Sequence, residues 1–446
     1  MFCFVVALAF VAVPGTPRGA GAVPSVASGE CTAKVDGRTP DAIEDAVDDA
    51  EPGDTVCVRS GVYDSGAVEL RRSGKPEAPI EVRALGRVVL RNVRMDASHL
   101  RFIGFEITSG DDAGNEPTPG ISLRGRGLVV SRNFVHDTAG DGIACARRPP
   151  SCVETVISRN TVQRADGTGI VVLGRDDRVV RNDVSESIRL RANDADGIRF
   201  FGSGHLIRSN RVHDISDDGY LGDAPHTDCF QTFDNGKPPT SDVVIDGNIC
   251  DNVDHQCLIA TAARSGELGE IGRSRSLEFT NNICRNHGSQ GVLVEQFPDV
   301  VVAHNAFAET IQFRAASFLD GSSGGAFVNN IVDGNYFAYE VDEASAPGWS
   351  AAGNLRARGR PGLPPTEGGV ESVDLVFAAT PEVPVEGRYA PDGGSSVVDA
   401  GVPVPGIDRD FAGRRRPLDG RGTGVAVPDV GPYEYRVDQL GIHQQK

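Results

Sequence analysis

Tryptophan occurs once in these 446 residues, methionine twice, and lysine only at Lys34, Lys75, Lys237 and Lys446; aromatic residues make up 6%. A chain so poor in rings cannot fill a wide globular core with them, but it can fill a narrow one with Val, Ile, Leu and Ala. The nine cysteines include no CxxC spacing, which argues against a zinc ribbon. Beyond the first residues no apolar run approaches the roughly 20 needed to cross a bilayer. Positive charge is also short. The formal net charge is -18, so nucleic acid is not an expected partner.

The chain starts "MFCFVVALAFVAVPGTPRGAGA". An apolar run over Met1–Val13, too short for a span, is followed by Ala20-Gly21-Ala22, a small-residue cleavage pattern. Residues 1–22 are therefore expected to be a signal peptide and the protein to be secreted, without a membrane span. Cys3 leaves with the signal. Cys31, Cys57, Cys145, Cys152, Cys229, Cys250, Cys257 and Cys284 remain, an even set that in an exported chain suggests disulfides.

One phrase recurs: apolar residues, then Asn, then another apolar residue. It appears as "LVVSRNFV", "TVISRNTV", "RVVRNDV", "LIRSNRV", "VVIDGNIC", "LEFTNNIC", "VVVAHNAF" and "AFVNNIV". Its asparagines are Asn133, Asn160, Asn182, Asn210, Asn248, Asn282, Asn305 and Asn330, spaced by 27, 22, 28, 38, 34, 23 and 25 residues. Such a period with strand-like alternation means a solenoid. The asparagines are read as turn residues that tolerate a left-handed backbone and stack their amides into an internal ladder. A second short strand follows each phrase: "DGIACA", "TGIVVL", "DGIRFF", "TDCFQTF", "QCLIAT" and "QGVLVEQ".

This pattern resembles the right-handed parallel β-helix of pectate lyases, polygalacturonases and related secreted polysaccharide-active proteins. The fold class is therefore expected to be all-β, a right-handed parallel β-helix solenoid with a short N-terminal capping helix. Residues 23–53 are assigned to the cap, 54–360 to the β-helix and 361–446 to a C-terminal tail wrapping or capping the solenoid. In the cap, Thr39-Pro40 before "DAIEDAVDDA" reads as an N-cap, a proline at the first helical position and an amphipathic helix.

Aligning the second strands puts Asp196, Asp228, Gln256 and Gln290 in one column. Ile198, Phe230, Leu258 and Val292 then point inward, and Arg199, Gln231, Ile259 and Leu293 outward. Phe201, Phe233, Thr261 and Glu295 lie beyond them on the outer side. The same register matches Cys229 with Cys257 and Cys250 with Cys284, so bonds are expected between those pairs. Cys31–Cys57 and Cys145–Cys152 follow by elimination and nearness.

The longest gap, the 38 residues from Asn210 to Asn248, contains "DDGYLGDAPHTDCFQTF", Asp217–Phe233, and the 34-residue gap follows it, so long loops would rise there over one face of a rigid scaffold. His226, Asp228 and Asp196 are the expected catalytic residues. Arg199, Gln231, His255 and Phe233 are the expected substrate contacts. "DGI" and "TDC" one coil apart resemble two aspartate motifs of polygalacturonases, which would imply an inverting glycoside hydrolase. The family's remaining His, Arg and Lys fall on Gln256, Leu293 and Glu295, departures that weigh against that activity. "SDDGYLGD" resembles the calcium-binding aspartates of some β-helix pectate lyases, which would imply a calcium cofactor at Asp217, Asp218, Asp223 and Asp194. The expectation is a lyase acting on a uronic-acid-containing polysaccharide by β-elimination, with Arg199, Arg264, His226 or Lys237 as base. A uronate C5-epimerase and a non-catalytic glycan-binding or adhesion β-helix stay open.

Overall fold

The computed structural model describes residues 30–109, 118–146, 151–190, 194–220, 224–308, 310–334, 337–357, 368–375, 377 and 387–436. The expected signal segment 1–22 and Asp223 lie outside the described residues. Within them, 34 strands form a single parallel sheet coiled into a β-helix, as the asparagine period predicts. No helix among the described residues is long and apolar enough to cross a membrane.

The face that carries the candidate site is built from Ile170–Arg175, Ile198–Ser203, Phe230–Thr232, Leu258–Thr261 and Val292–Glu295. Ile198, Phe230, Leu258 and Val292 stack in register, as do Arg199, Gln231, Ile259 and Leu293. The first four are fully buried, so the inward and outward columns fall where the alternation places them.

The asparagine ladder is present and longer than expected, running from Asn133 to Asn354. From Asn160 onward each side-chain oxygen accepts both the backbone and the amide N–H of the asparagine one coil earlier, and Asn133 Oδ1 accepts Phe105 N. Asn210 N and Nδ2, for example, donate to Asn248 Oδ1 at 2.8 and 3.0 Å. Each side-chain N–H also reaches a main-chain carbonyl further back, as Asn248 Nδ2 does to Ile207 O at 3.0 Å. These amides are buried, so the ladder satisfies backbone groups that no water can reach. One detail differs from expectation. The left-handed residue is the one before each ladder position: Arg132, Arg159, Arg181, Ser209, Asn281, His304 and Asn329 have φ between 54° and 60°. The turn needs a positive φ there so that the following amide points into the core.

The helix Pro40–Asp48 starts at Thr39, whose side chain accepts from Ala42 N, and it buries Ile43 and Val47 against the solenoid core. At the other extremity, Tyr389, Val397, Val430 and Tyr433 of the tail pack on Ile249, Ile283, Ala306, Ile331 and Leu355. These solenoid residues stack along successive coils of one face, so the tail lies along that face. Asn329 Nδ2 donates to Val402 O at 2.7 Å, and the buried Arg416 pairs with Glu434 at 3.2 Å.

Two of the four expected disulfides are found, Cys31–Cys57 and Cys145–Cys152. The other two differ: Cys229 joins Cys250 and Cys257 joins Cys284, each with Cα atoms 5.9 Å apart. The register behind the expected pairing is nonetheless correct, since Cys250 stacks on Cys284. Stacked residues on parallel strands send their Cα–Cβ bonds in the same direction about 4.8 Å apart, whereas a disulfide needs Cβ atoms about 3.8 Å apart. Cysteines on two faces of one coil point toward each other across the interior and meet that need. Non-reducing peptide mapping is expected to recover Cys229 with Cys250 and Cys257 with Cys284. Recovery of the stacked pairs instead would refute this geometry.

Candidate functional site

Three consecutive coils contribute to the site. Where the strand Phe230–Thr232 begins, Asp228 sits above Asp196 and accepts nothing from solvent, for both residues are 0% exposed. Asp196 Oδ1 accepts Asp228 N at 2.9 Å, and Asp228 Oδ1 accepts Gln256 N at 2.9 Å. Asp141, two coils before Asp196, does the same for the coil between them, accepting Thr168 N at 2.9 Å. These aspartates thus form an internal ladder at a second corner, doing for the backbone what the asparagines do elsewhere. Burial raises the pKa of Asp196, and the Asp228 charge adds to that, while Arg199 opposes it. His205, in the same stretch of sequence, is also interior, its Nε2 lying 3.0 Å from Phe201 O.

What reaches the surface depends on those buried acids. Arg199 projects outward, but its guanidinium is held by Asp194 and by Asp196 Oδ2, the latter 2.6 Å from Nε. Gln231 donates from Nε2 to Asp228 Oδ2 at 3.0 Å. Its Oε1 is buried without a hydrogen-bond partner. His226 stands half-exposed beside Asp228, Nδ1 to Oδ2 3.7 Å, and its backbone N donates to Asp194 Oδ1 at 3.2 Å. The Asp228 side chain, seconded by the charges of Asp194 and Asp196, pushes the His226 pKa up to about 9 against the opposing effect of partial burial. The imidazole is therefore a cation at neutral pH.

Around these groups lies a cleft of about 270 Å³ lined by Asp194, His226, Gln231, Thr232, Phe233, Ile259 and Thr261. Phe233 forms one wall, edge-on to Phe201 with centroids 5.0 Å apart. Lys237, on the loop that follows, places Nζ 5.1 Å from the Phe201 ring centre and 5.9 Å from that of Phe233. His255 meets the His226 ring edge-on at 5.6 Å and contacts Asp217 Oδ2 at 3.2 Å.

The structure thus brings His226, Asp228, Gln231, Phe233, Arg199, His255 and Asp194 together, with Asp228 and Asp196 beneath the surface rather than on it. Ile259 and Thr261, left out of the expected contacts, line the cleft; their place in the outward column was the available signal. Lys237 was considered only as a base, because nothing in the sequence folds its loop back over the two rings. Of the expected calcium ligands, Asp223 lies outside the described residues. Asp194 is engaged by Arg199, and Asp217 by His255 and, through its backbone N, by Asp254 at 2.9 Å. Among the described residues no group of three or more His, Cys, Asp or Glu side chains is arranged to hold a metal ion.

No family model matches the chain, and no curated protein matches it. Solved structures do. XylC in complex with xylose aligns over 88% of this chain and 94% of its own, at 10% identity and TM-score 0.57. Pectate lyase Pel9A aligns over 88% and 90%, at 14% and 0.51. The A-module of the mannuronan C-5 epimerase AlgE6 of Azotobacter vinelandii aligns over 76% and 96%, at 13% and 0.51. At such identities the likeness is one of fold.

Proposed function

We propose that this chain is a secreted enzyme that acts on a uronic-acid-containing polysaccharide by β-elimination. The observation that carries the reading is a cation, His226, held charged by a buried carboxylate in a cleft whose Phe233 wall has Lys237 Nζ 5.9 Å from its ring centre. Elimination removes the proton at C5 of a uronate, whose carboxylate must first be neutralised. The His226 imidazolium fits that task by donating to the carboxylate and stabilising the charge that builds on it in the transition state. Gln231 lines the cleft and is held in place by its bond to Asp228. The base is assigned to Lys237, since Arg199 is locked by two carboxylates, Arg264 is paired with Glu267 and His226 already carries its proton. The C5–H electron pair becomes the C4=C5 double bond, the C4–O bond to the next sugar breaks, and the proton taken by Lys237 is available to the departing oxygen.

A second carboxylate on the surface would favour an inverting hydrolase, which places two acids about 6.5–9.5 Å apart across the scissile bond. Asp196 and Asp228 are spent on backbone N–H groups inside the wall, and only Asp194 lines the cleft. C5-epimerisation begins with the same proton abstraction but needs a donor on the opposite face of the ring, where no second group is assigned. A non-catalytic binding role fits a flat aromatic strip better than a cleft of charged groups.

Incubation with alginate, polygalacturonate and neutral polysaccharides tests the reading. Ultraviolet absorbance from an unsaturated product is expected with one of the polyuronates, and new reducing ends without it would mean hydrolysis instead. Because the described aspartates do not form a metal set, no step is routed through calcium. Activity is expected to survive chelation, and loss that calcium restores would return Asp217, Asp218 and Asp223 to the mechanism.

A further inference from the structure

The outward column that forms the cleft continues for further coils, and its chemistry changes there. Ile259 stacks under Leu293, which stacks under Ser317, while Thr261 of the cleft wall stacks under Glu295 and that under Leu319. Successive coils are about 4.8 Å apart, so Leu293 and Glu295 lie about 10 Å, two coil spacings, from Gln231 and Phe233 along the groove. Ile259 and Leu293 are half-buried. At the corner just before the next two strands, Phe313 is 60% exposed and Phe337 39% exposed, and they adjoin through the bond from Phe337 N to Phe313 O. Exposed rings continuous with a cleft mark a ligand surface.

The charge on this stretch has the sign opposite to the one a uronate needs. The Glu295 carboxylate has no basic partner among the described residues, and Asp320 adds a second negative charge beside it. Arg314 is already paired with Glu340 at 2.9 Å. The positive groups, His226 and Lys237, lie at the other end of the cleft.

We infer that Glu295 is a specificity-determining residue: the cleft takes a charged uronate at His226 and Gln231 and an uncharged sugar, neutral or carboxyl-esterified, over Ile259, Leu293 and Phe313. The inference rests on the uronate reading above. A fully charged homopolymer would place a carboxylate against Glu295, at a cost that an uncharged neighbour avoids. The apolar side chains offer van der Waals contact to the C–H face of such a sugar instead. Enzyme and polymer together then read charge in alternation along the groove, and the natural substrate is a mixed or partly esterified polyuronate.

The test compares polygalacturonate and alginate with their partly methyl-esterified forms, for the parent and for Glu295→Gln, which preserves shape and removes charge at a half-exposed position. The parent is expected to favour the partly esterified form in kcat/KM. Glu295→Gln is expected to raise kcat/KM on the fully charged polymer about tenfold, a change of about 1.4 kcal/mol, with little change on the esterified one. An unchanged ratio between the two forms, or a parent that prefers the fully charged polymer, overturns the inference and leaves the uronate reading standing. Cleavage of none of the four polymers overturns both.

Discussion

His226→Gln is expected to lower turnover on the cleaved polyuronate by about 10²- to 10⁴-fold, the usual worth of a positioned proton-donating group. The variant should fold normally, since the ring is half-exposed and its neighbour contact to Asp194 comes from the backbone. Glutamine retains a hydrogen-bond donor but carries no charge, so what is lost is the cation rather than the shape. The pH profile separates this from a mere packing effect. With its pKa raised to about 9 from the ordinary 6.5, His226 is protonated at neutrality, and activity should fall only as pH rises through about 9. The sign for stability is the same: the attraction to Asp228 is fully present below about 6.5 and is lost as pH passes about 9. Asp228→Asn removes the charge that raises the pKa, so its alkaline limb should move down toward 6.5. A variant without His226 that keeps full turnover, or keeps the limb near 9, would remove His226 from the mechanism.

The largest effect on stability is expected from Asn248→Ala. Asn248 is fully buried in the middle of the ladder. Truncation leaves Asn210 N and Asn210 Nδ2 without their acceptor and Ile207 O without its donor. At about 1–3 kcal/mol for each of the three stranded buried groups, the loss is about 3–9 kcal/mol, a large share of the 5–15 kcal/mol that folded domains typically have. Because a solenoid is held by contacts between adjacent coils, the damage is concentrated where the site is built. Urea unfolding should show a lower midpoint. An unfolding free energy within about 0.5 kcal/mol of the parent would mean that water or a shift in backbone replaces the ladder there.

Much of this was legible in the sequence because it depends on periodicity. The spacing of the asparagines locates the coils, and the alternation in "DGIRFF" and "QCLIAT" places Ile198 and Leu258 inside and Arg199 and Ile259 outside. What escaped depends on direction. Stacked cysteines share a register but not a facing Cβ, so the register was correct and the bonds were not. Asp196 and Asp228 begin strands at a corner, where one residue points in and the next out and alternation has not yet begun. Their burial follows from the backbone N–H groups they satisfy, which no pattern of side chains reveals. The left-handed residue of each turn was likewise one place earlier than the asparagine that drew attention to it. The sequence offers Lys237 as a base but not its place over Phe201 and Phe233, which is set by a loop with no period at all.

The two disulfides that cross the interior turn consecutive coils into closed hoops. Cys229–Cys250 encloses the loop that carries Lys237, and Cys257–Cys284 encloses the segment around the short helix Ala263–Glu267. Exposed loop segments such as these are where proteases cut first. A single cut inside either hoop leaves both ends of the coil joined through sulfur, and the strands beneath the cleft remain stacked. The loops that these two hoops enclose can therefore be cut without either becoming the point at which the coil unwinds.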